Sequence, residues 1–392
     1  MSSIFILKQQ YEVIAMNFKP VSDYIESFLR REKGVPCCDL KIMREHQVLF
    51  RYQSGFSDYE DKMPLSGNEL YYMYSCTKPI TCTAAMQLVE RGVIALDDPV
   101  CQYLPAFHSV FLLQNGEKKT PQKTMTLRHL FTMSAGFDYH LQAAPILETV
   151  HANPNADTLT VVNSFIRSPL HFEPGEKFQY SLCHDVLAAV VESASGMKFS
   201  TYLDQNIFAP LGMKHTGFFL SEEKKKYLAA QYECYESGKI RPHTVPNAFQ
   251  VTPSYESGGA GLLSTVDDYS LFADAMANGG VGSSGAQILK PETIDLMRTE
   301  QLSTYTINPA FSCAAGPGYG YGLGVRTLID KTDGQRSSLG EFGWDGAAGS
   351  YVMIDPTYKL SIFFAMHVRE WPSLIGFGHA PIRDLTYDIL GL

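Results

Sequence analysis

Segments with the two-residue alternation of β-strands occupy both ends of this chain, while helical spacing fills its middle. Near the start, Leu40, Ile42, Val48, Phe50 and Tyr52 alternate across 38–52, which predicts a hairpin turning at Glu45-His46. Near the end, 322–328, 348–354 and 360–366 carry strand patterns, followed by a helix over 382–389. Between them lie helical patterns at 127–133, 156–167, 182–194 and 202–208, punctuated by Pro174-Gly175 and Pro210-Leu211-Gly212. Helices are also predicted over 21–31, 265–277 and 291–298. Strands at both ends around a helical middle describe an α/β body with a mostly helical insertion.

Charge and composition narrow the partners. The formal net charge of -9 leaves no basic stripe to release counter-ions from a phosphate backbone, so nucleic acid is not an expected partner. The run Lys224-Lys225-Lys226 sits beside Glu222 and Glu223 and reads as a solvated face. No apolar stretch approaches the length of a membrane span. In the first residues Ile4-Phe5-Ile6-Leu7 is cut short by Lys8-Gln9-Gln10, too brief for a secretory core. A cytoplasmic protein is therefore expected, with Met1 and Met16 equally good starts. The eight cysteines (37, 38, 76, 82, 101, 183, 234, 313) form no CxxC pair and read as small buried hydrophobes. Eleven scattered histidines without HExxH or a Cys/His cluster give no metal site, and nothing calls for a cofactor.

Ser75-Cys76-Thr77-Lys78 is the first chemical feature. Three residues apart at a helix start, hydroxyl and amine share one face. Pro79 is tolerated only in a first turn, so the helix begins near Ser75 and runs to Gly92, with Ile80, Ala84 and Leu88 on one face. Its open amino end favours developing negative charge. The same spacing at Ser195/Lys198 and Ser221/Lys224 lacks the preceding strand-like run. Further on, Glu173-Pro174-Gly175 and Gln179-Tyr180-Ser181-Leu182 place a tyrosine after a turn and ahead of a helix. Gly343-Trp344-Asp345-Gly346-Ala347 places small residues ahead of a strand, where a backbone N–H can approach a substrate oxygen.

At these three places the chain resembles the family of class C β-lactamases, DD-peptidases and family VIII carboxylesterases. Thr126-Leu127-Arg128-His129-Leu130, Ser134-Ala135-Gly136, Pro210-Leu211-Gly212-Met213, Gly259-Ala260-Gly261 and Asp355-Pro356 follow that family's habits too. The resemblance runs from about Val21 to the C-terminus. It implies an antiparallel sheet flanked by helices, with an N-terminal extension (1–19), an α/β domain (20–90 and 250–392), a mostly helical domain (91–249) and an active site between them. Ser75 would be the acylated nucleophile, Lys78 and Tyr180 its proton partners, and the N–H groups of Ser75 and Ala347 the oxyanion hole. An unassisted Tyr or Lys base at neutral pH costs about 4 kcal/mol, so the two must act on each other.

Two departures bear on substrate. Tyr180-Ser181-Leu182 stands where β-lactamases carry Tyr-x-Asn, so a polar anchor for an acylamide is missing. Trp344-Asp345-Gly346 stands where they carry Lys-Thr-Gly, removing a cation that would draw a carboxylate. Both resemble the carboxylesterase branch. Leu182, Trp344, Asp345 and Gly346 are thus the expected substrate-binding positions, with Asp345 either at the mouth of the site, where it would disfavour anionic acids, or pointing to solvent. Tyr139, Tyr255 and Trp344 are candidate walls of an acyl site, and His184 a helix residue one turn beyond Tyr180. The expected activity is hydrolysis of esters of short to medium acyl chain. β-Lactam or D-amino peptide hydrolysis, acyl transfer on the same site, and a non-catalytic sensing module stand as alternatives. The substrate is a small-molecule ester or amide, and the sequence carries no signal of oligomeric state.

Overall fold

The structure of the chain, a computed structural model, describes residues 16–31, 35–236, 239–245, 247–302, 316–332, 334–371 and 378–392. Its centre is an eight-stranded sheet. From one edge the strands are Tyr319–Tyr321, Arg326–Leu328, Phe342–Asp345, Tyr351–Asp355, Leu360–Ala365, Cys37–Arg44, Gln47–Asp58 and Met63–Pro64, each antiparallel to its neighbours. The two chain ends meet where Leu360–Ala365 pairs with Cys37–Arg44, Ile362 opposite Ile42. The expected hairpin turns at Glu45 and His46, both with positive φ (49° and 65°), the backbone that a two-residue turn between twisted strands demands.

Period-two alternation divides the core. Leu360, Ile362 and Phe364 join Leu40 and Ile42 beneath the terminal helices Lys19–Arg31 and Ala380–Leu390, which bury Val21, Ile25, Phe28 and Tyr387 against them. Phe363 and Ala365 face the other way, towards the helix Val266–Ala277, where Tyr269 stacks on Phe363 at 4.2 Å. Helices cover both faces, and the Leu360–Ala365 strand is buried along its whole length. The antiparallel sheet flanked by helices is the architecture the sequence implied.

Two local readings need correction. Residues 322–328 are not one strand: Tyr319–Tyr321 and Arg326–Leu328 form a hairpin whose turn presses into the molecule. Gly324 has φ +85°, and a Cβ there would lie 2.1 Å from Cys82 Sγ. Trp344 belongs to the end of a strand rather than preceding one, and the next strand starts only at Tyr351 because residues 346–350 turn between them. The short pairings Tyr71–Tyr72 with Leu263–Ser264 and Tyr232–Glu236 with Lys239–Pro242 carry too few residues to show a period.

The helix Thr77–Glu90 is buried from Thr77 to Leu88, on every side, so its apolar face is no guide to its surroundings. It packs against Cys183–Ser195. Seven cysteines lie among the described residues, all free thiols, while Cys313 and the first fifteen residues of the expected N-terminal extension lie outside them. No described helix is long and apolar enough to cross a membrane.

Candidate active site

The strand Tyr71–Tyr72 runs into a tight turn at Tyr74–Cys76, then into the helix Thr77–Glu90. Tyr74 takes a left-handed φ of 45°, which an ordinary side chain adopts only where its surroundings enforce it. That kink sets Ser75 at the open end of the helix, partly exposed, and Lys78 one turn below it, fully buried.

Three segments far apart in sequence converge on Ser75. The Tyr180 hydroxyl donates to Ser75 Oγ at 2.6 Å, and Lys78 Nζ donates to the same oxygen at 3.1 Å. Lys78 Nζ also donates to the Gly259 carbonyl at 2.7 Å and to the Tyr139 hydroxyl at 3.2 Å. Three acceptors match the three hydrogens of an ammonium. The Tyr180 and Tyr139 rings lie 4.6 and 5.1 Å from the nitrogen, adding cation–π attraction.

Each segment is shaped for this meeting. The stretch carrying Tyr180 is pinned by Gln179 N–H to the Met133 carbonyl (2.8 Å) and by Leu182 N–H to that of Asp138 (3.0 Å). At Gly136, in the Ser134-Ala135-Gly136 motif, a Cβ would meet the Phe172 carbonyl at 2.6 Å, so a larger residue would push the two loops apart. Gly259 lies against the helix Cys183–Ser195, where its Cβ would come within 2.6 Å of Asp185 Oδ2. Gly346 abuts the nucleophile's own segment: a Cβ would stand 2.3 Å from the Met73 carbonyl, which accepts from Ser350 Oγ at 2.9 Å. The turn bearing Ala347, which is exposed, is thereby held alongside the stretch bearing Ser75.

Trp344 stacks on Tyr180 (5.8 Å between centroids, 20° between planes), and its Nε1–H donates to the Tyr180 oxygen at 3.3 Å. The stack continues to Tyr139 (5.3 Å), then edge-on to Phe249 (5.4 Å) and Tyr74 (5.7 Å). Five aromatic rings thus run past the nucleophile.

Other expected positions lie elsewhere. Leu182 is a core side chain, lining a small cavity with Phe137, Ala143, Ile146 and Phe165. Asp345 neither faces the nucleophile nor points to solvent. Strand alternation sends it to the opposite face from Trp344, where its carboxylate meets Arg326 Nη1 at 2.7 Å and His379 Nδ1 at 3.2 Å. Burial would raise its pKa, but Arg326 and His379 hold it below the usual carboxylate range. Tyr255 is buried and donates to Asp185 Oδ1 at 2.7 Å, so it supports the site from behind. His184 is buried beside Cys82 Sγ (3.6 Å); burial, with the nearby Lys78 charge, lowers its pKa to about 3.

Sequence reasoning missed Asp185 and Phe249. Asp185 also accepts from Ser257 Oγ at 2.6 Å, and burial pushes its pKa up against the pull of Ser257, Tyr255 and Lys78. A carboxylate in the first turn of an otherwise largely apolar helix was the available signal. Among the described residues no group of three or more His, Cys, Asp or Glu side chains could hold a metal ion.

The Beta-lactamase family model matches residues 21–375. The chain is 30% identical over 372 residues to "Esterase EstB" of Burkholderia gladioli, covering 88% of this chain and 89% of that protein. It is 29% identical over 346 residues to "Protein Rv1367c" of Mycobacterium tuberculosis, covering 85% of each. Among solved structures it is similar to "EstCE1, a hydrolase with promiscuous acyltransferase activity", with a TM-score of 0.77 and 26% identity over 94% of this chain and 98% of that one.

Proposed function

Because this chain belongs to the Beta-lactamase family of serine hydrolases, we propose that it cleaves uncharged carboxylic esters of short to medium acyl chain through an acyl-serine intermediate. One observation carries the reading: Ser75 Oγ lies within hydrogen-bond reach of both the Tyr180 hydroxyl and the Lys78 ammonium. In this reading the site sits where residues 20–90 and 250–392, which carry the sheet, meet the mostly helical 91–249.

Hydroxyl hydrogens rotate, so the Ser75 proton can turn towards Tyr180. In the reacting form the Lys78 ammonium holds Tyr180 as a tyrosinate, one proton having left the pair to water. The Tyr180 oxygen takes the Ser75 proton as Oγ attacks the ester carbonyl, and the oxyanion forms between the N–H groups of Ser75 and Ala347. The pair returns the proton to the departing alcohol, and a water repeats the sequence on the acyl-serine. With its three hydrogens engaged, Lys78 serves as the standing cation and Tyr180 as the proton carrier. The ring series from Trp344 to Phe249 supplies apolar walls for an uncharged chain, and the name of the esterase relative favours the same class.

A fluorophosphonate probe and p-nitrophenyl butyrate test this. The native chain should take one adduct on the peptide holding Ser75 and hydrolyse the ester. Ser75→Ala should do neither. Turnover above a few per cent in that variant would remove Ser75 from the chemistry, and nitrocefin turnover matching the ester would reverse the substrate assignment.

A further inference from the structure

The reverse face of the Trp344 strand carries its own polar assembly. Arg326 reaches across beneath Gly343, where a Cβ would collide with the Val352 carbonyl at 1.9 Å and only touch Arg326 Nη2 at 3.4 Å. From that position the guanidinium donates to Asp345 Oδ2 at 2.7 Å and to the Val352 carbonyl at 3.0 Å, tying three adjacent strands together. It stacks over the Tyr351 ring at 4.9 Å. The other oxygen of Asp345 faces His379 Nδ1 at 3.2 Å, an ion-pair distance without hydrogen-bond geometry, and His379 Nε2 lies 3.4 Å from the Gly349 carbonyl. Gly349 closes the turn that begins at Gly346 and carries Ala347, its N–H donating back to the Gly346 carbonyl at 2.9 Å. A partly buried ion pair on one side of the sheet thus lies within contact, through one imidazole, of the backbone of the turn on the other.

We propose that Asp345, anchored by Arg326 and His379, is a positioning residue that fixes the turn bearing the Ala347 N–H against the Ser75 segment. The inference rests on the serine-hydrolase reading above. Asp345 does not touch the reacting atoms; it acts through the turn. An oxyanion donor works only when its N–H is aimed at the developing charge, and a loosened turn weakens the transition state more than substrate binding. Ser350 and Gly346 hold the turn from the nucleophile's side, and the Asp345 assembly holds it from behind.

The test is the rate at which a fluorophosphonate labels Ser75, alongside kcat and KM for p-nitrophenyl butyrate. Asp345→Asn keeps the side chain's shape and weakens both contacts. Both the labelling rate and kcat should fall about 10-fold, short of the 10² or more for an oxyanion donor removed outright, with KM within about twofold. His379→Leu leaves the Arg326 pair in place, so it reads the link to the turn even where Asp345→Asn folds poorly, and it should show the same split. His379→Gln, whose amide can reach the Gly349 carbonyl, should recover most of the loss. Native labelling with unchanged rates in folded Asp345→Asn and His379→Leu would overturn this inference and leave the serine reading intact. A native chain that takes no adduct overturns both.

Discussion

Two of the cations buried among the described residues, Lys78 and Arg326, sit on elements packed against the strand Phe342–Asp345, and their surroundings are opposite. Lys78 is ringed by neutral oxygens: a serine hydroxyl, a tyrosine hydroxyl and a backbone carbonyl. Its nearby carboxylate, Asp185, spends hydrogen bonds on Tyr255 and Ser257. Arg326 instead meets Asp345 directly, with the Val352 carbonyl and the Tyr351 ring taking up the rest of its surface. The first arrangement leaves a charge turned upon a reactive oxygen. The second spends the charge on holding strands together. In the proposed reading, burial alone does not distinguish a working cation from a structural one; the identity of the partner does.

The sharpest way to break this contrast is to remove each cation. Lys78→Met should reduce ester turnover by about 10³-fold or more, the loss expected when one member of a concerted proton-transfer pair disappears. Its effect on unfolding free energy should stay within about 2 kcal/mol, because a desolvated charge leaves together with its hydrogen bonds. Arg326→Met strands a carboxylate in the interior and should cost about 3 kcal/mol or more in urea unfolding. If Lys78→Met proved the more destabilising of the two, the distinction between working and structural cations would fail.

Tyr180→Phe sharpens the working half. It keeps the stack on Trp344 and Tyr139 and deletes the hydroxyl 2.6 Å from Ser75 Oγ. A loss of about 10²-fold in kcat with little change in KM is expected, the scale of general acid–base assistance. An unchanged kcat would transfer the proton-carrying role to Lys78.

The same contrast explains what could be seen in the sequence. Ser75 and Lys78 were legible because helix geometry alone puts residues three apart on one face. The hairpin at Glu45-His46 was legible because alternation continues on both sides of the turn. Asp345 was misplaced because a strand sends neighbours to opposite faces: placing Trp344 at the site already sent Asp345 away from it, once Trp344 was known to lie within a strand. Tyr139 was suspected as a wall, but its bond to Lys78 depends on a loop whose path is set by Met133 at φ 54° and Gly136 at φ 96°, which no periodicity reports. Asp185 was missed because its partners, Tyr255 and Ser257, come from a loop some seventy residues away.

The smallest effect separates the working side by its titration. His184, on the helix beside Lys78, has its pKa lowered from 6.5 to about 3, first by burial and then by the Lys78 charge. Between those values the unfolded chain binds a proton that the folded chain refuses. Stability from this group is therefore intact above about pH 6.5 and declines as the pH falls, by about 1.4 kcal/mol per unit. Buried carboxyls act in the opposite sense: burial pushes the pKa of Asp39, Asp185 and Glu341 up, so the folded chain takes their protons first. The histidine is isolated by difference. Urea unfolding of the native chain and of His184→Gln should give curves of stability against pH that run parallel above pH 6.5 and separate below it, the variant losing less. Parallel curves down to pH 4.5 would mean that the imidazole carries its proton inside the fold, and the cation at Lys78 would then have a charged neighbour rather than a neutral one.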